Sequence, residues 1–223
     1  MITRYGYDVY FTIAVVCIAA IVIALIFVEP RSFRISLIFV SLAVLAFTTN
    51  FFRDPDRIAP QGDRLVIAPA DGKVIVIKKV RMEEFLKDEV WQVSIFMSPL
   101  NVHVNRNPIS GVVKYYRYVP GEYFAAFEDK ASEKNEQSII GIEGRYGKVL
   151  FKQIAGFIAR RIVCPLRPED TVKVGERFGM IKFGSRVDVF LPLSTAIKVQ
   201  VGDVTRAGET IVGEFSQSQS ENK

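Results

Sequence analysis

The sequence predicts a mainly β domain that follows a hydrophobic helical hairpin. Apolar residues are concentrated before residue 53, in two runs without charge. The remainder has short alternating apolar segments separated by Gly, Pro and Asp, which is typical of strands. A weak repeat brings the pattern of residues 172–176 back at 199–203, with alternating valines that lead into a Gly-acid pair. Repeated strand–turn–strand units predict a compact β-sandwich or barrel.

Two long apolar runs open the chain. The first extends from Val9 to Val28, the second from Ile35 to Phe52, and the polar elbow 29–34 joins them. Each is long enough for a helix that crosses roughly 30 Å of hydrocarbon. We therefore expect residues 1–52 to form a membrane-associated helical hairpin. A cleaved signal peptide is one alternative for the first run, although it lacks a small-residue cleavage site and a second span follows it. A hairpin in the membrane interface, or a buried apolar pair, is the other.

Residues 53–215 have the composition of one globular domain. Strands are expected at the four clearest apolar segments, 73–78, 93–97, 112–118 and 149–154. Residues 157–163 fit either a strand or a helical turn. The polar segment 128–137 offers little to bury, so we expect a mobile loop there. The polar tail, residues 216–223, is predicted to be disordered.

Charge and cysteine content narrow the classes of function. The formal net charge is +5 and the basic residues are scattered, which argues against nucleic-acid binding and suits an anionic membrane face. Cys17 and Cys164 cannot form a disulfide framework, so we expect the globular domain to lie on the cytoplasmic face of the cell membrane. The chain has one histidine, His103, and metal sites built from several His or Cys ligands are excluded by counting. No metal is expected.

Gly184–Ser185 is the candidate reactive pair. It separates an apolar run from the alternating segment 187–191, which predicts a tight turn between two strands. A serine hydroxyl in such a turn can attack the preceding carbonyl when a base takes its proton, and the amide then becomes an ester. Gly and Ser are also common in turns for backbone reasons, so the pair alone is a weak signal.

His103 and Asp71 supply the other residue types that activate a hydroxyl. In such a set the carboxylate orients the imidazole, the imidazole accepts the proton, and the hydroxyl attacks. Each residue also has an ordinary explanation, because Asp71 precedes a glycine as turn residues do and His103 lies just past an apolar strand. Spacing alone does not show that the three side chains meet.

Five short segments, in order along the chain, carry a family pattern. They are Phe51-Phe52-Arg53-Asp54-Pro55, Pro69-Ala70-Asp71-Gly72-Lys73-Val74, Met97-Ser98-Pro99-Leu100-Asn101-Val102-His103, Val119-Pro120-Gly121-Glu122-Tyr123-Phe124 with Lys134-Asn135-Glu136-Gln137, and Phe183-Gly184-Ser185. This ordered set resembles the phosphatidylserine decarboxylase family, and most of all its short bacterial and archaeal form. Together the segments are far more specific than any one of them.

The resemblance implies a proenzyme that cuts itself between Gly184 and Ser185 into a large β chain, 1–184, and a small α chain, 185–223. Ser185 would become a covalent pyruvoyl group that forms a Schiff base with phosphatidylserine and releases CO₂, giving phosphatidylethanolamine. Two lipid substrates are compatible with the resemblance, diacyl phosphatidylserine and its archaeal ether-linked analogue. Oligomeric state beyond the two self-cut chains stays open as well.

The same resemblance assigns roles to residues at matching positions. His103 would be the base and proton donor, and Asp71 would orient it. Arg106 stands where larger family members commonly have a second histidine. Arg106 is expected to bind the phosphate or carboxylate of the substrate, because a guanidinium can form two hydrogen bonds with such a group.

Two rival classes share part of this pattern. A membrane-anchored carrier or adaptor is one, because the Val-x-Val-Gly-acid repeats resemble lipoyl- and biotinyl-type domains, and Lys182 would be the modified lysine. A Ser-His-Asp hydrolase is the other, but no Gly-x-Ser-x-Gly elbow surrounds Ser185. Only the decarboxylase predicts a broken chain.

Overall fold

The computed structural model describes residues 1–121, 135–156, 161–182 and 185–216. The chain divides into two compact units, Met1–Pro55 and Asp56–Lys223. The first unit is helical and the second is built from strands, so the predicted fold class, a mainly β domain after a hydrophobic helical hairpin, is confirmed.

The first unit is a helical hairpin. A short 3₁₀ turn leads into α1 (Tyr7–Phe27), and α2 (Arg31–Phe51) follows after a brief connection. Thr3 N donates to Phe52 O at 2.9 Å and Asp54 N donates to Met1 O at 2.7 Å, so the beginning of the chain and the end of α2 are tied together. By length and composition both helices could cross a membrane, and few of their side chains are buried.

The second unit contains fourteen strands in its described residues. In chain order they are β1 (Leu65–Ile67), β2 (Gly72–Met82), β3 (Asp88–Met97), β4 (Val104–Arg106), β5 (Gly111–Val119), β6 (Gln137–Glu143), β7 (Lys148–Ala155), β8 (Arg161–Val163), β9 (Thr171–Val172), β10 (Arg177–Lys182), β11 (Ser185–Pro192), β12 (Ala196–Ile197), β13 (Val204–Thr205) and β14 (Ile211–Glu214). The four predicted strand segments all lie in strands. Arg161–Val163 is a strand, whereas residues 157–160 lie outside the described part.

An eight-stranded antiparallel sheet forms the body of this unit, in the order β13-β2-β3-β11-β7-β6-β5-β9. Two three-stranded sheets, β4-β10-β8 and β1-β14-β12, complete the fold. Alternation along β11 sends Val187, Val189 and Leu191 into the main core, while Phe190 packs in a second, smaller cluster on the other face. Ser185 shares the face of the valines.

Gly72 begins β2 at a point of close backbone approach to β3. A Cβ atom at this position would lie 2.1 Å from the carbonyl oxygen of Phe96, so no other residue type fits without moving a strand. The Asp71-Gly72 pair therefore marks a strand start, with Asp71 directly before a position that the sheet fixes.

The mobile loop predicted at 128–137 is wrong for the part that the structure describes. Asn135, Glu136 and Gln137 are buried, and Gln137 belongs to β6. Asn135 and Glu136 have hydrogen-bond partners on other strands, since Asn135 Nδ2 donates to Ala155 O at 2.6 Å and Glu136 Oε1 accepts from the Tyr118 hydroxyl at 3.0 Å. Hydrogen bonding thus allows polar residues to be buried where composition favoured a loop. Residues 128–134 lie outside the described part, as do 217–223 of the predicted tail.

Both cysteines are free thiols. Burial raises the pKa of the Cys164 thiol to about 11. At pH 8 roughly one Cys164 in a thousand is then ionised, so iodoacetamide should label the folded protein very slowly, and the rate should rise about tenfold per pH unit up to that pKa. A Cys17→Ser variant leaves Cys164 as the one thiol, and denaturant-unfolded chain provides the fast reference. Rapid labelling of the folded variant at pH 8 would contradict this expectation.

Candidate active site

Ser185 opens β11 near the centre of the large sheet. Its backbone pairs with Met97 of β3 on one side and with Ala155 of β7 on the other. The side chain is fully buried, and its Oγ donates a hydrogen bond to Met97 Sδ at 3.3 Å. A thioether is a weak acceptor, so this contact does little to hold the hydroxyl proton against a stronger base. Gly184, and with it the predicted turn and cleavage site, lies outside the described residues.

His103 is fully buried, and the backbone defines its tautomer. Its Nδ1 lies 2.9 Å from the carbonyl oxygen of Asn101. A carbonyl oxygen only accepts, so Nδ1 carries the proton in the neutral ring and Nε2 is the basic nitrogen. The preceding turn is itself held, because Asn101 Oδ1 accepts from Ser98 N at 2.8 Å and from Ser98 Oγ at 2.9 Å. The imidazole is thus prepared to accept a proton at Nε2.

Strand pairing brings His103 and Ser185 to the same end of two sheets. Ser185 pairs with Met97, the last residue of β3, while Met180 near the end of β10 pairs with Val104, the first residue of β4. The β3–β4 connection contains His103, and the β10–β11 connection ends directly before Ser185. Two residues far apart in sequence therefore lie at one junction.

Asp71 is held by other partners. Its two carboxylate oxygens form an ion pair with the Arg57 guanidinium, in which Nη2 lies 2.8 Å from Oδ2, and the backbone N–H of Ala207 donates to Oδ1 at 2.8 Å. Within the described part of the chain, no hydrogen bond joins Asp71 to His103, whose Nδ1 faces a main-chain carbonyl. The orienting role of Asp71 stays a prediction.

The Asp71–Arg57 pair is expected to contribute to stability, since both side chains are largely buried. Asp71→Asn should lower the free energy of unfolding by about 3 kcal/mol, because it removes the counter-charge of a buried guanidinium. Thermal unfolding of the purified protein in detergent would measure it, in a double-mutant cycle with Arg57→Met. Additive losses in the cycle would show that the two side chains do not stabilise the fold as a pair.

Arg106 is buried and holds a turn. Its Nη1 donates to Gly175 O at 2.9 Å, and Gly175 has a φ of 76°, which glycine adopts without strain. In β4 the side chain of Arg106 alternates with that of Asn105, so the two point to opposite sides of the strand. The predicted contact of Arg106 with substrate stays a prediction.

Asn105 and Gln153 form a buried amide pair that the sequence analysis missed. Gln153 Nε2 donates to Asn105 Oδ1 at 2.8 Å, and both side chains are fully buried. Asn105 Nδ2 also lies 3.8 Å from Met97 Sδ, the sulfur that accepts from Ser185. The available signal was Gln153 itself, a polar residue at an inward position of an apolar strand.

Lys182 lacks the exposure that a cofactor-carrying lysine requires. It ends β10, where it pairs with Arg161 of β8, and it is buried. A lysine that carries a swinging cofactor must be accessible to the enzyme that modifies it. This observation disfavours the carrier interpretation.

Comparisons with known proteins agree on one family. A family model described as phosphatidylserine decarboxylase matches residues 44–213. A protein of Pelodictyon phaeoclathratiforme named phosphatidylserine decarboxylase proenzyme is 47% identical over 215 residues, which cover 96% of this chain and 100% of that protein. A protein of Desulfotalea psychrophila with the same name is 50% identical over 180 residues, 80% of this chain and 84% of its own.

These matches define an enzyme class first, the lyases that release a carboxyl group as CO₂. Within that class, the chain belongs to the phosphatidylserine decarboxylase family. The resemblance carried by the five sequence segments is thereby confirmed. The relatives are named proenzymes, which agrees with a chain that is processed after synthesis.

Proposed function

We propose that the protein is a phosphatidylserine decarboxylase that makes its own reactive group by cutting the chain at Gly184–Ser185. The observation that carries this proposal is the junction of a buried Ser185 with a buried His103 whose Nδ1 proton is held by Asn101 O. This geometry leaves Nε2 as the base, at the end of the sheets where Ser185 begins β11. Family membership supports the overall reaction.

In the first step His103 Nε2 accepts the Ser185 hydroxyl proton, and Oγ attacks the carbonyl carbon of Gly184. The C–N bond then breaks and an ester links the two parts of the chain. Loss of the Cα proton of residue 185 expels residues 1–184 as a carboxylate and leaves dehydroalanine. Water and this residue then give a pyruvoyl group and ammonia, so the products are a β chain, 1–184, and an α chain, 185–223.

The pyruvoyl ketone supplies Schiff-base chemistry with the amine of phosphatidylserine and an electron sink while CO₂ departs. The residues of this chain fit that group, since position 185 is buried and fixed by strands on both sides. His103 would return a proton to the substrate carbon, and phosphatidylethanolamine would leave. Arg106 is proposed to contact the phosphate or carboxylate of the substrate, directly or after a rearrangement of its present contact with Gly175.

Asp71 is proposed to orient His103 indirectly. It lies two residues from Pro69, whose carbonyl accepts from Arg106 N at 3.0 Å and from Asn105 Nδ2 at 3.3 Å. Through that segment the Asp71–Arg57 pair supports the strand that follows His103. On this view Asp71→Asn and Arg57→Met slow self-cutting to similar extents, whereas a direct role of Asp71 in orienting His103 would make Asp71→Asn alone severe.

The two apolar helices agree with a protein that works where its lipid substrate lies. Their length and composition suit a membrane anchor. We propose that the catalytic domain occupies the cytoplasmic face of the cell membrane, as free cysteines suit a reducing compartment. Protease accessibility in sealed inside-out and right-side-out vesicles would test this orientation.

Intact mass spectrometry of the purified protein tests the proposed cut. We expect two chains, 1–184 and 185–223, with a carbonyl group instead of an amine at the start of the smaller one. A single intact chain in active, folded protein would overturn the proposal.

A further inference from the structure

We propose that Gln153, held by Asn105, positions the water that completes the reactive group at residue 185. This inference rests on the proposed self-cutting function and assigns one of its steps to a side chain. The step is the hydrolysis that follows chain cleavage, and the assigned atom is Gln153 Oε1.

Gln153 lies close to Ser185 in the sheet. Ala155 of β7 pairs directly with Ser185, and Gln153 is the preceding inward-facing residue of the same strand, opposite Val187. Diagonal neighbours of this kind are within reach of long side chains. Asn105 lies on the other side of Gln153, and Asn105 Nδ2 and Ser185 Oγ both contact the sulfur of Met97, at 3.8 and 3.3 Å.

Hydrogen bonds define which way both amides face. Asn105 Nδ2 donates to Pro69 O at 3.3 Å, so its Oδ1 is the atom that faces Gln153. Oδ1 accepts only from a donor, which makes the facing atom of Gln153 its Nε2, at 2.8 Å. Gln153 Oε1 is therefore the remaining atom of the amide, and it is buried and accepts no hydrogen bond from any residue that the structure describes.

A buried amide oxygen of this kind is unusual, because nearly all buried acceptors in folded proteins have a donor. An amide oxygen binds O–H and N–H groups and leaves the charge of the site unchanged. Since Ser185 is also fully buried, a reaction there that consumes water needs a group that holds the water molecule. Gln153 Oε1 is such a group.

The assigned step consumes one water and releases one ammonia. After elimination, residue 185 carries a C=C double bond and a free amino group, and a proton shift gives the imine. The water oxygen adds to the imine carbon, its protons pass to nitrogen, the C–N bond breaks, and a ketone and NH₃ result. No electrons are gained or lost. Gln153 Oε1 accepts a hydrogen bond from the attacking water and so fixes its position.

The test compares the parent chain with Gln153→Met and Gln153→Glu, each purified in detergent as the full protein. High-resolution mass spectrometry of the small chain over time distinguishes an end that retains NH from one that has exchanged NH for O. In Gln153→Met we expect cut chains that retain NH, with hydrolysis about a hundredfold slower than in the parent, because the water is no longer positioned. Gln153→Glu keeps an acceptor oxygen, and as a neutral acid it can still donate to Asn105, so it should convert at the parental rate.

Three results would overturn this assignment while leaving the proposed function intact. They are conversion of Gln153→Met at the parental rate, failure of Gln153→Met to be cut at all, and a stall of Gln153→Glu equal to that of Gln153→Met. Failure of the proposed function itself looks different, since the parent would then be uncut or its small chain would begin with serine. A general loss of packing does not cause a cut chain to accumulate before hydrolysis, so this readout separates positioning from stability.

Discussion

Ser185→Ala should leave a single chain of 223 residues and reduce decarboxylation below detection. Alanine has no hydroxyl to attack the Gly184 carbonyl, so neither the ester nor the pyruvoyl group can form. The loss should be complete, because no other residue of the chain can take the place of the reactive ketone. Intact mass gives the state of the chain, and release of labelled CO₂ from phosphatidylserine in detergent micelles gives the activity.

Ser98→Ala is the matched control for this variant. Ser98 also lies next to the junction, and its hydroxyl supports the turn before His103 by donating to Asn101 Oδ1, but Ser98 N donates to the same oxygen and Ser98 is not the proposed nucleophile. We expect Ser98→Ala to be cut and to retain activity. Cutting of Ser185→Ala between residues 184 and 185 would refute an attack by Ser185 and would require another nucleophile.

Much of the architecture was predictable because its signals are local. Each of the two helices is predicted by a long apolar run, which can be recognised without any knowledge of the rest of the chain. The strands of the large sheet were also predictable from local signals, because apolar residues alternate or cluster along them. Ser185 and His103 became candidates in similarly simple ways, Ser185 from a Gly-Ser pair between two predicted strands and His103 as the single histidine of the chain.

The features that could not be predicted from the sequence depend on hydrogen bonds between residues that are distant along the chain. The partner of Asp71 is Arg57, although the residue types favoured His103, because the hydrogen-bonding capacity of a carboxylate can be satisfied by any donor that the fold brings near. The Asn105–Gln153 hydrogen bond joins residues of two different sheets, and the sequence around either residue does not indicate the other as its partner. The burial of Asn135–Gln137 has the same origin, since acceptors such as Ala155 O are supplied by distant strands.

His103→Gln is expected to slow self-cutting by about a hundredfold or more, which is the usual contribution of a positioned general base. Glutamine can still donate to Asn101 O and fills similar space, but it has no nitrogen that accepts a proton. The fraction of cut chain over time would be measured by intact mass. Decarboxylation would be measured separately and expressed per cut chain, so that slow processing is not counted twice.

Asn101→Ala provides a graded comparison for this variant. It removes the side chain that accepts from Ser98 and so loosens the turn, while the main-chain carbonyl that binds His103 Nδ1 remains. A loss of about tenfold in the rate of self-cutting is expected, since the imidazole is less well positioned but the base is retained.

If His103→Gln were cut at the parental rate but failed to release CO₂, another group would have to be the base for cutting, and His103 would retain the role of proton donor. If both rates were parental, the buried imidazole would have no part in the chemistry, and its burial would serve packing alone.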